Sequence, residues 1–152
     1  MIILFLGQPA SGKTTLADEL YKKIWHESLF AAIRIDGDKW RDVTKNKDYS
    51  KEGRVKNLKA AFDMAIYLEK DGYIPILSFV TPYEELRNYL KENSNYLVQI
   101  YLTYNEDRGR NNNFAIDFEE PSDCLLKINT SETLIQDCIE MITRKIIRPS
   151  NY

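Results

Sequence analysis

Short apolar runs alternate along the chain with stretches whose apolar residues recur every three or four positions. Ile2–Leu6 is an unbroken apolar run, which predicts a strand buried on both faces. Leu16, Leu20 and Ile24 then fall four apart and predict a helix over Lys13–His26. A second short strand is expected at Ala31–Ile35. The longest periodic stretch, Arg54–Lys70, places Val55, Leu58, Ala61, Phe62, Ala65, Ile66 and Leu68 on an apolar face, and Asp71-Gly72 ends it. Tyr73–Ser78 predicts a third strand. Pro82 marks a helix start, with the helix itself over Tyr83–Glu92. Tyr96–Leu102 and Leu125–Ile128 predict the fourth and fifth strands. Ser131 with Thr133 opens a last helix reaching about Arg144, with Leu134, Ile135, Cys138, Ile139 and Ile142 as its apolar residues. Residues 103–123 carry no period and are rich in Asn, Asp and Glu. A loop of that length in a compact domain suggests a lid.

Strands that alternate with helices point to an α/β fold: a mostly parallel five-stranded sheet with helices on both faces. At 152 residues the chain is expected to form one domain over 1–152. Repeats and low-complexity segments are absent. Ligands of such sheets bind beyond the carboxyl ends of the strands, so the residues that follow each strand are the ones to inspect.

Composition narrows the classes. Hydrophobic residues make up 43% and charged residues 29%, with a formal net charge of −2 and the basic residues dispersed. Nothing there points to nucleic acid or a membrane as partner. No segment has the apolar length of a membrane span, and the start reads as a strand rather than a signal peptide, so a cytoplasmic location is expected. Cys124 and Cys138 lack CxxC spacing and read as thiols in a reducing compartment.

The first strand end carries the clearest chemistry. Gly7-Gln8-Pro9-Ala10-Ser11-Gly12-Lys13-Thr14 fits G-x-x-x-x-G-K-[ST], between a strand and a helix. The glycines permit backbone angles that a side chain would block. The loop N–H groups and the helix N-terminus then face an anion. Lys13 is placed to reach the β- and γ-phosphates, and the Thr14 hydroxyl to hold Mg²⁺. ATP with Mg²⁺ is therefore the expected cofactor pair, bound over Gly7–Thr15 by Gly7, Ala10, Ser11, Gly12, Lys13, Thr14 and Thr15. The expected fold is accordingly the three-layer P-loop NTPase arrangement.

The other strand ends leave alternatives open. Asp36-Gly37-Asp38 suits a metal ligand or a base for an acceptor hydroxyl, and equally a turn with a helix-capping Asp. Phe79-Val80-Thr81-Pro82-Tyr83 reads as an anion site at a helix start or as a plain N-cap. Arg108 and Arg110 in the lid-like stretch suit a transferring phosphate or are solvated loop charges.

Taken in order, these pieces resemble the adenylylsulfate (APS) kinase family, P-loop kinases that phosphorylate the ribose 3′-hydroxyl of adenosine 5′-phosphosulfate. Asp36-Gly37-Asp38-Lys39-Trp40-Arg41 is similar to the family's DGDxxR. Tyr49-Ser50-Lys51-Glu52-Gly53-Arg54-Val55-Lys56-Asn57 is similar to its F-S-x-x-D-R-x-E-N. Thr81-Pro82-Tyr83 with Arg87 is similar to S-P-Y-R-x-x-R, and Phe114-Ala115-Ile116-Asp117 with Glu120-Pro121 to F-T-G-I-D-x-P-Y-E-x-P. The resemblance implies an ATP-dependent phosphotransferase acting on an alcohol group of a nucleotide-like small molecule. Asp36 and Asp38 would handle Mg²⁺ and the acceptor hydroxyl, with Thr14 and Asp38 as metal ligands and Asp36 as the carboxylate facing the acceptor hydroxyl. Arg41, Arg54 and Asn57 would grip the acceptor's phosphate end, with Thr81 beside it. Tyr49 and Phe114 would stack on its base. Lys13, Asp36, Asp38 and Arg108 would carry catalysis. A homodimer is the family's common state.

The chain also departs from the family pattern. Gln8-Pro9-Ala10 replaces the middle of G-L-S-G-A-G-K. Gly53 stands for an acidic residue, Lys59 and Ala60 for arginines, Thr81 for serine and Glu84 for arginine. The lid shrinks to Asp107-Arg108-Gly109-Arg110 and three asparagines, with Asn112 in the region of an expected lysine. The lost positive charge suits a less charged acceptor. A same-fold kinase acting on a cytidine-linked surface-modification precursor, a nucleoside, a sugar or an antibiotic is one alternative. A nucleotide-binding regulatory protein without transferase activity is another.

Overall fold

The structure, a computed structural model, describes residues 1–27 and 31–147. The expected 1–152 domain thus includes residues outside those described. Five strands form one sheet: β1 (Ile2–Leu6), β2 (Ala32–Asp36), β3 (Ile74–Ser78), β4 (Leu97–Thr103) and β5 (Leu126–Asn129), in the order β2-β3-β1-β4-β5. Every pairing is parallel, with Ile3 beside both Ile76 and Val98 in register. The sheet is all-parallel where the sequence suggested mostly parallel, because among the described residues successive strands are linked through a helix or the long loop and none through a hairpin.

Alternation along the central strand sets the layers. Ile2, Leu4 and Leu6 face α3 (Lys51–Lys70) and α4 (Glu84–Asn93), meeting Leu58, Phe62, Ala65, Leu86 and Leu90. Ile3 and Phe5 face α1 (Lys13–Glu27) and α5 (Ile135–Ile147), meeting Leu16, Leu20, Cys138 and Ile142. All five β1 residues are fully buried, as the unbroken apolar run predicts.

Three differences from the sequence reading have local causes. A helix, α2 (Gly37–Thr44), occupies the segment read only as a turn or motif, capped by the Asp36 carboxylate. It has no buried residue, so no apolar stripe announced it. Helix α3 starts at Lys51 rather than Arg54, since the Ser50 hydroxyl accepts from Gly53 N at 3.1 Å. Leu134 precedes α5 and is 74% exposed, so the helix packs through Cys138, Ile139 and Ile142 instead.

The connections position the site. From β1 the chain crosses to the edge strand β2 and returns through β3, whereas β4 lies on the other side of β1 and leads outward to β5. Connections therefore leave the carboxyl ends of the neighbours β1 and β4 in opposite directions, which opens a crevice there.

Candidate active site

The loop after β1 has the backbone its glycines foretell. Gly7 has φ 146°, and a Cβ there would lie 2.4 Å from the Leu102 carbonyl oxygen and 2.9 Å from Ser11 Oγ. Gly12 has φ 96°, and Ala10 adopts φ 65° although it carries a side chain. Ser11 is fully buried; its carbonyl accepts from Thr130 Oγ1 at 3.0 Å. Lys13 Nζ donates to the Gln8 carbonyl at 2.8 Å and to Ser11 Oγ at 3.4 Å. Burial lowers the Lys13 ammonium from 10.5 to about 8; Asp38 and Asp36 oppose that fall and Arg110 adds to it. This cation is buried without a full counter-charge, and a phosphate would complete it.

Asp36, at the end of β2, ties the loop to the sheet. Its Oδ2 accepts from the Thr14 hydroxyl at 2.7 Å and the Ser78 hydroxyl at 2.8 Å. Its Oδ1 accepts from Asp38 N at 3.2 Å and Lys39 N at 3.3 Å, which caps α2. Arg34 Nη2 stands 3.9 Å away and also bonds Ser78 Oγ, while its Nε donates to Asp18. Burial raises the Asp36 carboxyl, but the two hydroxyls, the Lys39 N–H and Arg34 outweigh it and hold it below the usual carboxylate range. Asp36 thus caps α2 and lines the cleft with one side chain. The structure joins Thr14 to Asp36, and Asp38 lines the same cleft from the first turn of α2. A hydroxyl and two carboxylates offer hard oxygens, and among the described residues no group of three His, Cys, Asp or Glu side chains gathers into a protein cage. That set fits Mg²⁺, which keeps waters and phosphate oxygens around it rather than a full protein shell.

These groups open into a cleft of about 830 Å³ beyond the strand ends. Of the residues expected to form the site, Ala10, Gly12, Lys13, Thr14, Thr15, Asp36, Asp38, Arg41, Tyr49, Arg54, Asn57, Thr81, Arg108 and Phe114 line it. Gly7 and Ser11 do not: Ser11 is fully buried, and Gly7 packs against Leu102 O and Ser11 Oγ. On the acceptor side, Arg41 stacks 4.3 Å from the Tyr49 ring centroid, and its Nη1 donates to Asn46 O, Asn46 Oδ1 and Asp48 O. Arg54 pairs with Asp117 at 3.6 Å. Asn57 is 4% exposed, with Oδ1 bonded to nothing in the protein. Phe114 meets Tyr104 edge-on at 6.3 Å, so each of the two expected stacking rings has a neighbour other than its counterpart.

Thr81 differs from its expected capping alternative. Its hydroxyl donates to Phe79 O, its φ is 50°, and the N-cap of α4 is Tyr83, without a side-chain bond. The buried Arg87 bonds Thr81 O and Glu119 O, tying this loop to the lid-like stretch. Arg108 is no solvated loop charge: Nη1 donates to Ala10 O at 2.9 Å and Thr130 Oγ1 at 3.1 Å, and the guanidinium lies 4.5 Å from the Tyr104 ring centroid. Gly53 has a steric reason. A Cβ there would meet Asp48 Cγ at 2.3 Å, so the 46–49 loop occupies the space a side chain would need.

Sequence reasoning missed Ser78, Thr130, Tyr104 and Gln8. Ser78 and Thr130 stand at the ends of β3 and β5, where the strand-end rule would have found them. Tyr104 and Gln8 act through partners 95 and 107 residues away, and no local pattern marks them.

A phosphate-type loop on the central strand of an all-parallel sheet, flanked by helices on both faces, defines the three-layer P-loop NTPase fold. Residues 1–113 match the adenylylsulphate kinase family, and the chain belongs to that family. It is 35% identical over 102 residues to a probable adenylyl-sulfate kinase of Archaeoglobus fulgidus, a match covering 66% of this chain and 64% of that protein. It is 27% identical over 163 residues to a probable adenylyl-sulfate kinase of Pyrococcus abyssi, covering 94% and 92%. The Mycobacterium tuberculosis APS kinase solved with AMPPNP and APS superposes with a TM-score of 0.84 over 97% of each chain at 15% identity, a likeness of fold. Among the described residues no helix is long and apolar enough to cross a membrane.

Proposed function

We propose that this protein is an ATP-dependent kinase that transfers the γ-phosphoryl group to an alcohol of a nucleotide-like acceptor, with the ribose 3′-hydroxyl as the favoured position. One observation carries the reading: the Lys13–Thr14–Asp36 constellation and the aromatic and basic residues Tyr49, Arg54 and Phe114 line a single cleft. Phosphoryl transfer asks little covalent chemistry of a protein, and positioning with charge neutralisation supplies most of the rate.

Each residue then has a physical role. Mg²⁺·ATP supplies the phosphoryl group and spreads its charge. Lys13, with its ammonium poorly compensated, draws phosphate oxygens toward the loop. Asp36, expected to face the acceptor hydroxyl, already accepts from the Thr14 and Ser78 hydroxyls and two backbone N–H groups, so Asp38, expected as a metal ligand, is here the carboxylate able to accept the acceptor's hydroxyl proton. Arg108 and Arg110 bring positive charge from the lid side, Arg108 while holding Ala10 O. Tyr49 and Phe114 offer faces to a base, each worth about 1–3 kcal/mol in stacking. Asn57 Oδ1, buried and unpartnered, offers an acceptor.

A second reading has its own support. Arg54 is paired with Asp117, and Arg41 is engaged by three oxygens and the Tyr49 face. Fewer uncommitted cations suit an acceptor with less negative charge than adenylylsulfate. The test is ADP release with Mg²⁺·ATP and a panel of acceptors: adenylylsulfate, nucleosides, cytidine diphosphate-linked compounds and sugars. Turnover restricted to adenylylsulfate supports the first reading. Turnover with a different alcohol and none with adenylylsulfate supports the second, and ATP binding without turnover across the panel refutes both.

A further inference from the structure

We propose that Gln8 is a positioning residue: its side-chain amide clasps the lid segment at Ala115 and so holds Phe114 over the cleft before any ligand binds. The role assigned to Phe114 rests on the kinase reading above; the clasp itself does not.

The geometry is that of a two-bond strand pairing made by a side chain. Gln8 Nε2 donates to Ala115 O at 2.9 Å, and Ala115 N donates to Gln8 Oε1 at 3.0 Å. Only this orientation of the amide works, since exchanging its O and N would set donor against donor and acceptor against acceptor. Ala115 is 3% exposed; its N–H has Gln8 Oε1 as acceptor, and its carbonyl takes the Gln8 amide as a donor beside Phe118 N at 3.3 Å, in a place water hardly reaches. The next two loop residues are tied to the same stretch: the Tyr104 hydroxyl donates to Pro9 O at 2.7 Å and Arg108 Nη1 to Ala10 O at 2.9 Å. Three consecutive residues of the phosphate loop thus each carry a bond to the segment that follows β4. These bonds use carbonyls and a side chain, and leave the Ala10 backbone N–H, Pro9 having none, outside the clasp. Fixing both polar groups of the Ala115 backbone fixes the direction from which the preceding residue, Phe114, presents its ring to the cleft.

The function that follows is preorganisation: a loop that binds phosphate on one side and the lid on the other holds the acceptor half formed while the nucleotide is absent. A leucine in place of Gln8 offers neither bond.

Amide hydrogen exchange of the whole chain tests this, comparing wild type with Gln8→Met and Gln8→Glu. Methionine keeps the length and volume and loses both bonds; exchange at Ala115 is expected to quicken about 10- to 100-fold. Glutamate keeps the acceptor and loses the donor, so it should fall between. ADP affinity should stay within about threefold in Gln8→Met, because neither bond lies on the donor side of the loop. With adenylylsulfate as the acceptor probe, KM should rise while kcat changes little. Unchanged exchange at Ala115 in Gln8→Met overturns the clasp, as does wild-type protection in Gln8→Glu. A loss of ADP affinity in step with exchange also overturns it, since Gln8 then serves the donor site alone. Should Gln8→Met fail to fold, the Gln8→Glu exchange result decides. Absence of turnover with adenylylsulfate in the wild type counts against the acceptor assignment and leaves the exchange result decisive for Gln8.

Discussion

Replacing Lys13 by methionine should make the ligand-free protein more stable while removing its hold on nucleotide. Burial lowers the Lys13 ammonium from 10.5 to about 8 against the pull of Asp38 and Asp36. That difference corresponds to at most about 3 kcal/mol by which the folded state disfavours the cation. Methionine removes the charge, keeps the unbranched chain and gives up the bond to the Gln8 carbonyl, worth about 1 kcal/mol. The net expectation at neutral pH is about 2 kcal/mol of added stability, or about 4–8 °C in Tm for a chain of this size. The pH dependence carries a sign. Below about pH 8 both folded and unfolded chains keep the Lys13 proton, and the folded state bears the whole cost. Between about 8 and 10.5 the unfolded chain holds more protons, so wild-type stability rises relative to the variant, and above 10.5 the charge-dependent part of the gap closes. Urea unfolding of both proteins across this range measures the gap, and repeating it with ADP and Mg²⁺ shows which one the nucleotide stabilises. A Lys13→Met protein that is less stable at neutral pH, with a gap that does not change with pH, would refute the reasoning. Retained transfer by that variant would remove the phosphate-loop assignment itself.

Four further outcomes follow from the same geometry. Asp36→Ala removes the acceptor for Thr14, Ser78 and two backbone N–H groups, and leaves Arg34 with one carboxylate fewer. It should cost about 3 kcal/mol in denaturant unfolding and cut turnover sharply; equal stability would show that the network is slack. Because the folded Asp36 carboxyl is held below its ordinary value, its contribution is present above the unfolded pKa and fades as pH falls through the depressed folded one, so acid unfolding should come at higher pH in wild type with Ser78→Ala than without it. Gly7→Ala sets a Cβ 2.4 Å from Leu102 O at φ 146° and should abolish ADP binding in calorimetry. Gly53→Asp, which restores the family's residue type, drives a Cβ into Asp48 and should displace the loop that holds Arg41 and Tyr49; a crystal structure with that loop unmoved would contradict this.

Much of this protein is legible without coordinates, because its signals are local. The unbroken apolar run at Ile2–Leu6 means burial on both faces wherever the strand lies, and it occupies the centre of the sheet. The phosphate loop is equally local: two glycines, a lysine and a hydroxyl within eight residues adopt the positive-φ turn that their chemistry requires. The strand-end rule found Asp36, Thr81 and the lid side, and the resemblance added Tyr49 and Phe114; all of these line the cleft. Helix α2 escaped because it buries none of its residues, while its cap, Asp36, lines the cleft.

Tertiary structure alone decided which of these groups act on one another. Strand order sets β1 beside β4, and that adjacency brings the phosphate loop against the stretch after Thr103. Gln8 meets Ala115, Tyr104 meets Pro9, and Arg108 leaves the role of a solvated charge to hold Ala10. Thr14 finds Asp36, so the aspartate expected to face the acceptor hydroxyl is a bonded anchor, with Asp38 beside it at the cleft. Such pairings depend on loop ends that parallel crossovers carry across the sheet. A sequence encodes those crossovers only through the packing of the whole, whereas a strand, a cap or a phosphate loop is specified by the few residues that form it.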